Sequence, residues 1–335
     1  ARMRMAEVIA DFAPDVVHVH NFFPTLTPSI YDACRDAGVP VVQTLHNYRT
    51  ICPGALLMRD GRPYEACIRA SPYQAVLHRC YRGSLLGSLV VARMVDIHRK
   101  RGTWQTKVDR FIALTEFAKS KFVEGGLPKD KIIVKPNFVE DRWLGSTDGV
   151  PREGALFVGR LSPEKGVPTL LKAWASLDVP LRVTGDGPLL EHVRSANAAA
   201  IVGLGRKSRE EVAAEMARAA FLVMPSESYE GFPMTLAEAF CQSLPVIASH
   251  LGAMAEIVAD GVTGLHFAPG DPEDLAAKVR WAAEHPEEMF RMGANARRVY
   301  EEKYNPEANY RNLMAIYGQA IESNRRARKG WARLQ

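Results

Sequence analysis

Apolar positions along this chain fall into short runs that alternate with stretches of helical spacing. "AEVIADFAP" has the spacing of a helix, and "DVVHVH" follows it as a short β-branched run ending in polar residues. The pair repeats as "TPSIYDACRDAG" and "VPVVQTLHN". Strands alternating with helices of about a dozen residues predict a parallel sheet covered on both faces. Between Tyr48 and about Lys107 the rhythm breaks, with three cysteines, a turn at "RDGRP" and the apolar-to-basic stretch "SLLGSLVVARMVDIHRKRG". It resumes in "DRFIALTEFAKSKFVEGG" and "DKIIVKPNFVE".

Around "LGSTDGVPREG" the composition turns polar and rich in glycine and proline, which reads as a linker. A second series follows: strand "ALFVGRLS", a helix from Glu164, strand "LRVTGD", a helix from Pro188, strand "AAAIVGLG" and the helix of "REEVAAEMARA". Strand "AFLVMPS", the helix within "PSESYEGFPMTLAEAF", strand "PVIAS", a short helix, strand "GLHFAP" and the helix of "DPEDLAAKVRWAAEH" complete it. The last helices run from Pro286 into the basic tail "NRRARKGWARLQ". The predicted fold class is α/β, with two doubly wound Rossmann-like domains facing a cleft and ligands beyond the carboxyl ends of the strands. The expected division is residues 1–148, then 149–305, with the final helix 306–335 packing back on the first domain.

Composition narrows the function classes without choosing among them. The 335 residues are 47% hydrophobic and 24% charged, ordinary for a globular protein with room for two cores. No window reaches the roughly 18 uncharged apolar residues of a membrane span. The opening "ARMRMAEVIADFAPDVVHVH" reads as globular patterning rather than as a signal peptide. Cys34, Cys52, Cys67, Cys80 and Cys241 are too few and scattered for a disulfide scaffold, and a reducing cytoplasm fits them better. Residues 1–150 carry 21 Lys and Arg against 15 Asp and Glu, or +6; the remainder carries 22 against 23, or −1. A basic first half suits an anionic partner, a phospholipid surface or a phosphate-bearing substrate, and equally a solvated surface with no partner.

The strand ends hold the candidate chemistry. In "GRLSPEKG", Gly159 allows a tight turn, Arg160 offers a fixed fork of donors and Lys165 a compact cation, together a clamp for a diphosphate. Alone, Glu164 and Lys165 also read as the exposed start of a helix. "VTGDGP" ends another strand on two glycines, which suits a ligand loop and any tight turn alike. In "PSESYEGFPMTLAEAF", Gly231 to Met234 would start a helix, with Pro233 near its first turn. Free amides there meet phosphate or sugar oxygens. Glu230 would point toward that anion, and Glu238, two turns on, toward a vicinal diol such as a ribose. Each acid alone also reads as a solvated surface group. A dinucleotide-dependent oxidoreductase is a poor fit, because "VGLGRKSRE" has Gly203 and Gly205 without the third glycine of that fingerprint.

Taken together, "GRLSPEKG", "VTGDGPLLE", the Glu-x₇-Glu pair, "SLPVIASHLGAMAEIVADGVTGLHFAPGD" and "KPNFVE" resemble glycosyltransferase family 4. Its members are retaining enzymes of the GT-B architecture that use nucleotide-activated sugars. The resemblance implies that Arg160 and Lys165 bind the donor diphosphate, Glu230 faces the donor sugar and Glu238 the ribose. It assigns the stretch Gly231, Phe232, Pro233, Met234 and Thr235 to the phosphates and sugar, with the N–H groups coming from the non-proline residues of Phe232 to Thr235. In the first half, "QTLHN" matches the family's strand-end histidine, so His46 would contact the transferred sugar.

The segment "TLHNYRTICPGALLMRDGRPYEACI" is further similar to a bacterial branch that builds exopolysaccharide, capsule or lipopolysaccharide chains. That branch carries a Cys-x₂-Cys pair where this chain has Tyr64 and Cys67. Cys52, Cys67 and Cys80 are one short of a four-thiolate zinc set. They read as small buried thiols, or as three ligands completed by His78. The family also opens with a strand and a Gly-Gly loop over the donor phosphates, whereas this sequence starts near the helix before the third or fourth strand. The resemblance thus implies either a fragment or a short gene product.

The resulting expectation is a metal-independent, cofactor-free retaining transferase, in the cytoplasm or peripheral at the inner face of the plasma membrane. The resemblance implies a front-face displacement, and Glu230 is not read as a covalent nucleophile. Its partners would be a nucleotide-sugar donor, a glycan or lipid-linked acceptor and an anionic membrane surface, with no nucleic acid. The alternative is a non-catalytic nucleotide-sugar-binding or scaffold protein.

Overall fold

The computed structural model describes residues 1–141, 152–196 and 200–332. The segment read as a linker, 144–154, and the expected division at 148/149 therefore lie largely outside the described residues. Two compact units emerge, and the division between them falls at Pro136 and Asn137. The first comprises 1–59, 64–136 and 309–335, and the second 60–63 and 137–308.

In the first unit four strands, β1 (Val17–Val19), β2 (Val41–Thr44), β3 (Arg110–Ala113) and β4 (Ile132–Val134), form one parallel sheet in that order. Val17 pairs with Val41, Val42 with Arg110 and Phe111 with Ile132, so all four carboxyl ends lie along one edge. Every residue of β2 is buried, as in a parallel strand covered on both faces, so its sequence, Val-Val-Gln-Thr, does not alternate between apolar and polar positions. Gln43, buried among them, accepts a hydrogen bond from the Tyr31 hydroxyl at 2.7 Å, which removes the cost of hiding its amide oxygen. The long helix Pro306–Ala332 places Ile316 and Ala320 against Val42 and Ile112 of the sheet.

The second unit is a six-stranded parallel sheet built from β5 (Ala155–Val158), β6 (Leu181–Thr184), β7 (Ile201–Gly205), β8 (Phe221–Met224), β9 (Val246–Ser249) and β10 (Gly264–Phe267). Their spatial order is β10-β9-β8-β5-β6-β7. The chain therefore builds outward from β5 in one direction, then returns to place β8 on its other side, where Phe221 pairs with Ala155. That reversal is the topological switch point of a doubly wound sheet, and the space beyond the carboxyl ends of β5 and β8 is where such sheets bind ligands. Trp174, Phe157, Phe221 and Phe267 are fully or nearly fully buried in the core around this sheet.

Three helix boundaries differ from the sequence reading, and the first two differences shape the switch point. The helix expected from Glu164 begins at Val167; Pro163–Lys165 form a separate tight turn that Gly166 ends at φ 71°. A side chain at Gly166 would meet the Pro225 carbonyl oxygen at 1.8 Å, so glycine is required by conformation and by close approach together. The other helix runs Met234–Cys241, with Pro233 extended (φ −70°, ψ 106°) just ahead of it rather than in its first turn. The helix expected from Pro188 is likewise short, Leu190–Arg194.

Candidate active site

The ends of β5 and β6 are stacked backbone on backbone. Gly159 donates to the Thr184 carbonyl at 3.0 Å and Leu161 to that of Asp186 at 2.9 Å. Gly185, at φ 149°, lies so close that a Cβ there would stand 1.8 Å from the Gly159 oxygen. The glycines of "VTGDGP" thus hold the loop after β5 in place, the role that the sequence left open between a ligand loop and a turn.

That loop, the turn Pro163–Lys165 and the start of the helix Met234–Cys241 enclose a cavity of about 240 Å³. Gly159, Arg160, Lys165, Glu230, Phe232, Pro233, Met234 and Thr235 all line it, joined by Pro225 and Ser226 at the end of β8. Phe232 is buried against Tyr304, edge to face at 5.5 Å, which anchors the entry to the helix. The first amides of the helix have no intrahelical acceptor and carry the positive end of its dipole. At the opposite end Arg297 donates to the Cys241 carbonyl at 2.8 Å and pairs with Asp141 at 2.7 Å, so the negative end is covered by a cation.

Inside the cavity Lys165 is not a bare cation. Its Nζ lies 2.6 Å from Oε1 of Glu230, and the Ser226 hydroxyl donates to the same oxygen at 2.7 Å. Ser226 also contacts the Glu164 carbonyl at 3.1 Å, so it ties the end of β8 to the Lys165 turn. Both partners of the pair are mostly sheltered, with side-chain exposures of 29% for Lys165 and 15% for Glu230. Arg160 is exposed at the cavity wall. An ion pair in a phosphate-sized cavity can open toward an arriving anion, with the lysine turning to the anion and the carboxylate to a neutral hydroxyl donor. Ser226 was missed from the sequence, because one serine in "PSES" carries no signal until β8 is known to sit beside β5.

Glu238 lies elsewhere. It lines an adjoining cavity of about 360 Å³ with Arg209, Val212 and Met216 of the helix Arg209–Arg218, and with Phe138 and Glu140. Met234 lines both cavities, so the first turn of the Met234–Cys241 helix separates the two acids.

His46 belongs to the first unit, where it stands just beyond β2 in a group of histidines. His20 Nδ1 lies 2.9 Å from His46 Nε2, with the two rings stacked at 5.2 Å. His18, in β1, is 2.8 Å from both the Tyr317 hydroxyl and Thr44 Oγ1. Burial lowers the pKa of all three histidines, that of His18 to about 4, and the nearby Lys135 cation adds to each shift. Lys135 itself follows β4 and is brought down to about 8 by burial. Of the three, only His46 was marked by a motif in the sequence. The paired histidines of "DVVHVH", ending a β-branched run, were the available signal for His18 and His20.

The three cysteines of the irregular segment form no disulfide, Cys52 and Cys67 being buried and Cys80 half-buried. His78 is 3.1 Å from an Arg59 nitrogen. Among the described residues no group of three or more His, Cys, Asp or Glu is placed to hold a metal ion.

Comparison with known proteins gives this geometry its setting. The sequence profile described as Glycosyltransferase Family 4 matches residues 1–143, and that described as Glycosyl transferases group 1 matches residues 150–299. An uncharacterized glycosyltransferase of Methanocaldococcus jannaschii is 34% identical over 216 residues, covering 63% of this chain and 60% of that protein. A GDP-mannose-dependent alpha-mannosyltransferase of Mycobacterium tuberculosis is 30% identical over 277 residues, covering 81% of this chain and 64% of that protein. The chain thus spans less than two thirds of the length of these two relatives. Among solved structures, Anabaena HepE in complex with UDP superimposes with a TM-score of 0.70 at 16% identity, over 95% of this chain and 82% of that one, which establishes a shared fold. With one profile over each of its halves and a GT-B fold of two Rossmann-like domains, the chain belongs to glycosyltransferase family 4.

Proposed function

We propose that the protein transfers a sugar, with retention, from a nucleotide-diphosphate donor to a glycan or lipid-linked acceptor in cell-surface polysaccharide synthesis. The observation that carries this reading is the convergence of Arg160, Lys165, Glu230 and the start of the Met234–Cys241 helix on one cavity at the switch point. As the glycosidic bond breaks, negative charge develops on the diphosphate, and preorganised cations and amides lower the barrier without a metal ion. Arg160, Lys165 and the amides near Met234 and Thr235 supply those charges. Glu230, held on one oxygen by Lys165 and Ser226, orients the donor sugar for a front-face displacement. Glu238, in the adjoining cavity, takes the ribose diol, and His46 acts on the sugar being transferred.

A thermal-shift screen of UDP-, GDP- and ADP-sugars tests this, followed by transfer assays with the stabilising donor. Ligand at 100 times its dissociation constant should stabilise the protein by about 2.7 kcal/mol. Glu238→Gln should weaken binding of the bare nucleotide, because the amide replaces one diol acceptor by a donor. No shift with any sugar nucleotide would overturn the reading. Binding without turnover against any acceptor would leave a sugar-nucleotide-binding protein.

A second element of this reading concerns the membrane. On the helix Leu85–Lys100 the side chains of Leu85, Leu86, Leu89 and Val90 are exposed, Leu86 at 72% and Val90 at 68%. Arg93 continues that face and Arg82 precedes it, both exposed, while Lys100 is tied to Asp96 at 2.8 Å. Apolar side chains flanked by arginines suit the interface of an anionic leaflet, where a lipid-linked acceptor would be presented. Among the described residues no helix is long and apolar enough to cross a membrane. The protein should sediment with anionic liposomes at low salt and release as salt rises. The double variant Leu86→Glu and Val90→Glu should stay in the supernatant with its sugar-nucleotide binding intact; sedimentation equal to the parent's would remove this helix as the anchor.

A further inference from the structure

The histidines at the carboxyl edge of the first unit's sheet are more than a chance cluster. His20 and His46 stand beyond strand ends, where side chains of a parallel sheet project toward bound ligands. His20 follows β1 directly, His46 follows β2 by one residue and Lys135 follows β4 directly. The order β1-β2-β3-β4 makes the first two neighbours, so adjacent strands deliver their histidines side by side. The His20 and His46 rings are stacked with an interplanar angle of 21°, and their facing nitrogens are 2.9 Å apart. Behind them the His18 ring lies 4.2 Å from that of His20, and its two nitrogens are occupied by Tyr317 and Thr44.

A hydrogen bond between two neutral imidazoles needs one N–H and one bare nitrogen, so the two tautomers are locked to each other. His46 Nε2 is committed to His20. The nitrogen it can offer to a sugar hydroxyl is therefore Nδ1, and whether that atom donates or accepts is set by the proton shared with His20. We propose that His20 is a positioning residue for His46, fixing the ring's orientation and its tautomer at Nδ1 for contact with the transferred sugar. This inference rests on the transferase reading above, and its test keeps the two separable.

The titratable groups facing the pair are His18 from β1, Lys135 after β4 and each imidazole itself. Tyr317 of the C-terminal helix reaches the group through His18. All three histidines titrate below the ordinary imidazole value, so the pair is neutral at pH 7, as the locked arrangement requires.

The experiment is a long-range imidazole ¹H–¹⁵N correlation on the full chain, followed through pH 4–9, for the parent and two variants. His20→Phe keeps a stacking ring and removes the nitrogen. His20→Asn keeps a polar atom at the position of Nδ1, since both are attached at Cγ. The parent should show His46 as one neutral tautomer at pH 7, titrating below the usual histidine range. In His20→Phe the His46 signals should move toward a mixture of tautomers and its titration toward the ordinary value, with His20→Asn restoring a single tautomer. In transfer assays His20→Phe should lower kcat by roughly 10- to 100-fold with KM for the donor little changed, as a misplaced contact group does, and His20→Asn should recover part of the loss. Identical His46 spectra in parent and His20→Phe would overturn the proposal, as would altered spectra with unchanged kcat. A parent that transfers no sugar at all would instead count against the transferase reading, while the spectra still decide the coupling of the two rings.

Discussion

Glu230→Gln should reduce sugar transfer on the order of 10²-fold while leaving the affinity for the free nucleoside diphosphate within a few fold of the parent. Oε1 of this carboxylate is held by Lys165 at 2.6 Å and by Ser226 at 2.7 Å, which leaves Oε2 as the oxygen that turns to a sugar hydroxyl. Glutamine preserves the shape and removes the charge, so the sugar loses a strong acceptor and the lysine loses its counter-ion. A lysine released in this way remains available to the diphosphate, so nucleotide binding does not suffer. Isothermal titration with the nucleoside diphosphate, set beside initial rates of transfer, measures the two effects separately. Unchanged transfer would return Glu230 to a merely structural ion pair. A fall in nucleotide affinity as large as the fall in rate would assign it to the diphosphate instead.

The second large effect is expected at the cations. Lys165→Ala and Arg160→Ala should each weaken binding of the nucleoside diphosphate and of the sugar nucleotide by about 1.5–3 kcal/mol, the worth of a charge-assisted contact. Lys165→Ala should be the more damaging of the two. Removing the lysine leaves the Glu230 carboxylate, only 15% exposed, unpaired in the cavity that must accept the phosphates. Arg160, exposed at the wall, leaves no such orphan. The double variant Lys165→Ala and Glu230→Gln should therefore recover part of the binding lost in the single one, a coupling that a double-mutant cycle isolates. Additive losses in the cycle would contradict the account of a pair that opens toward the anion. Binding as tight as the parent's in both single variants would remove the clamp altogether.

Much of the fold was legible because its causes are local. The β-branched residues that open β2 and the alternation of strand and helix are written within a few residues of each other. The site was legible as residue types: a glycine, an arginine, a lysine and an acid before a helix, each following an apolar run. Boundaries were less so. Nothing local to "SPEKGV" shows that Gly166 must turn left-handed; the reason is the Pro225 carbonyl, which arrives from β8.

The sequence by itself determined which residues stand at strand ends and which faces are buried, since periodicity and turn chemistry act over short range. Only the tertiary structure decided which strand ends meet. Strand β8 returns to lie beside β5, and that crossover brings Ser226 and Glu230 to Lys165 and turns two bland surface charges into a sheltered ion pair. The adjacency of β1 and β2 likewise sets His20 against His46, a contact no spacing encodes because it depends on strand order. Strand order is chosen by how the whole apolar surface of a unit is buried, so it is a property of the folded chain and of no segment within it.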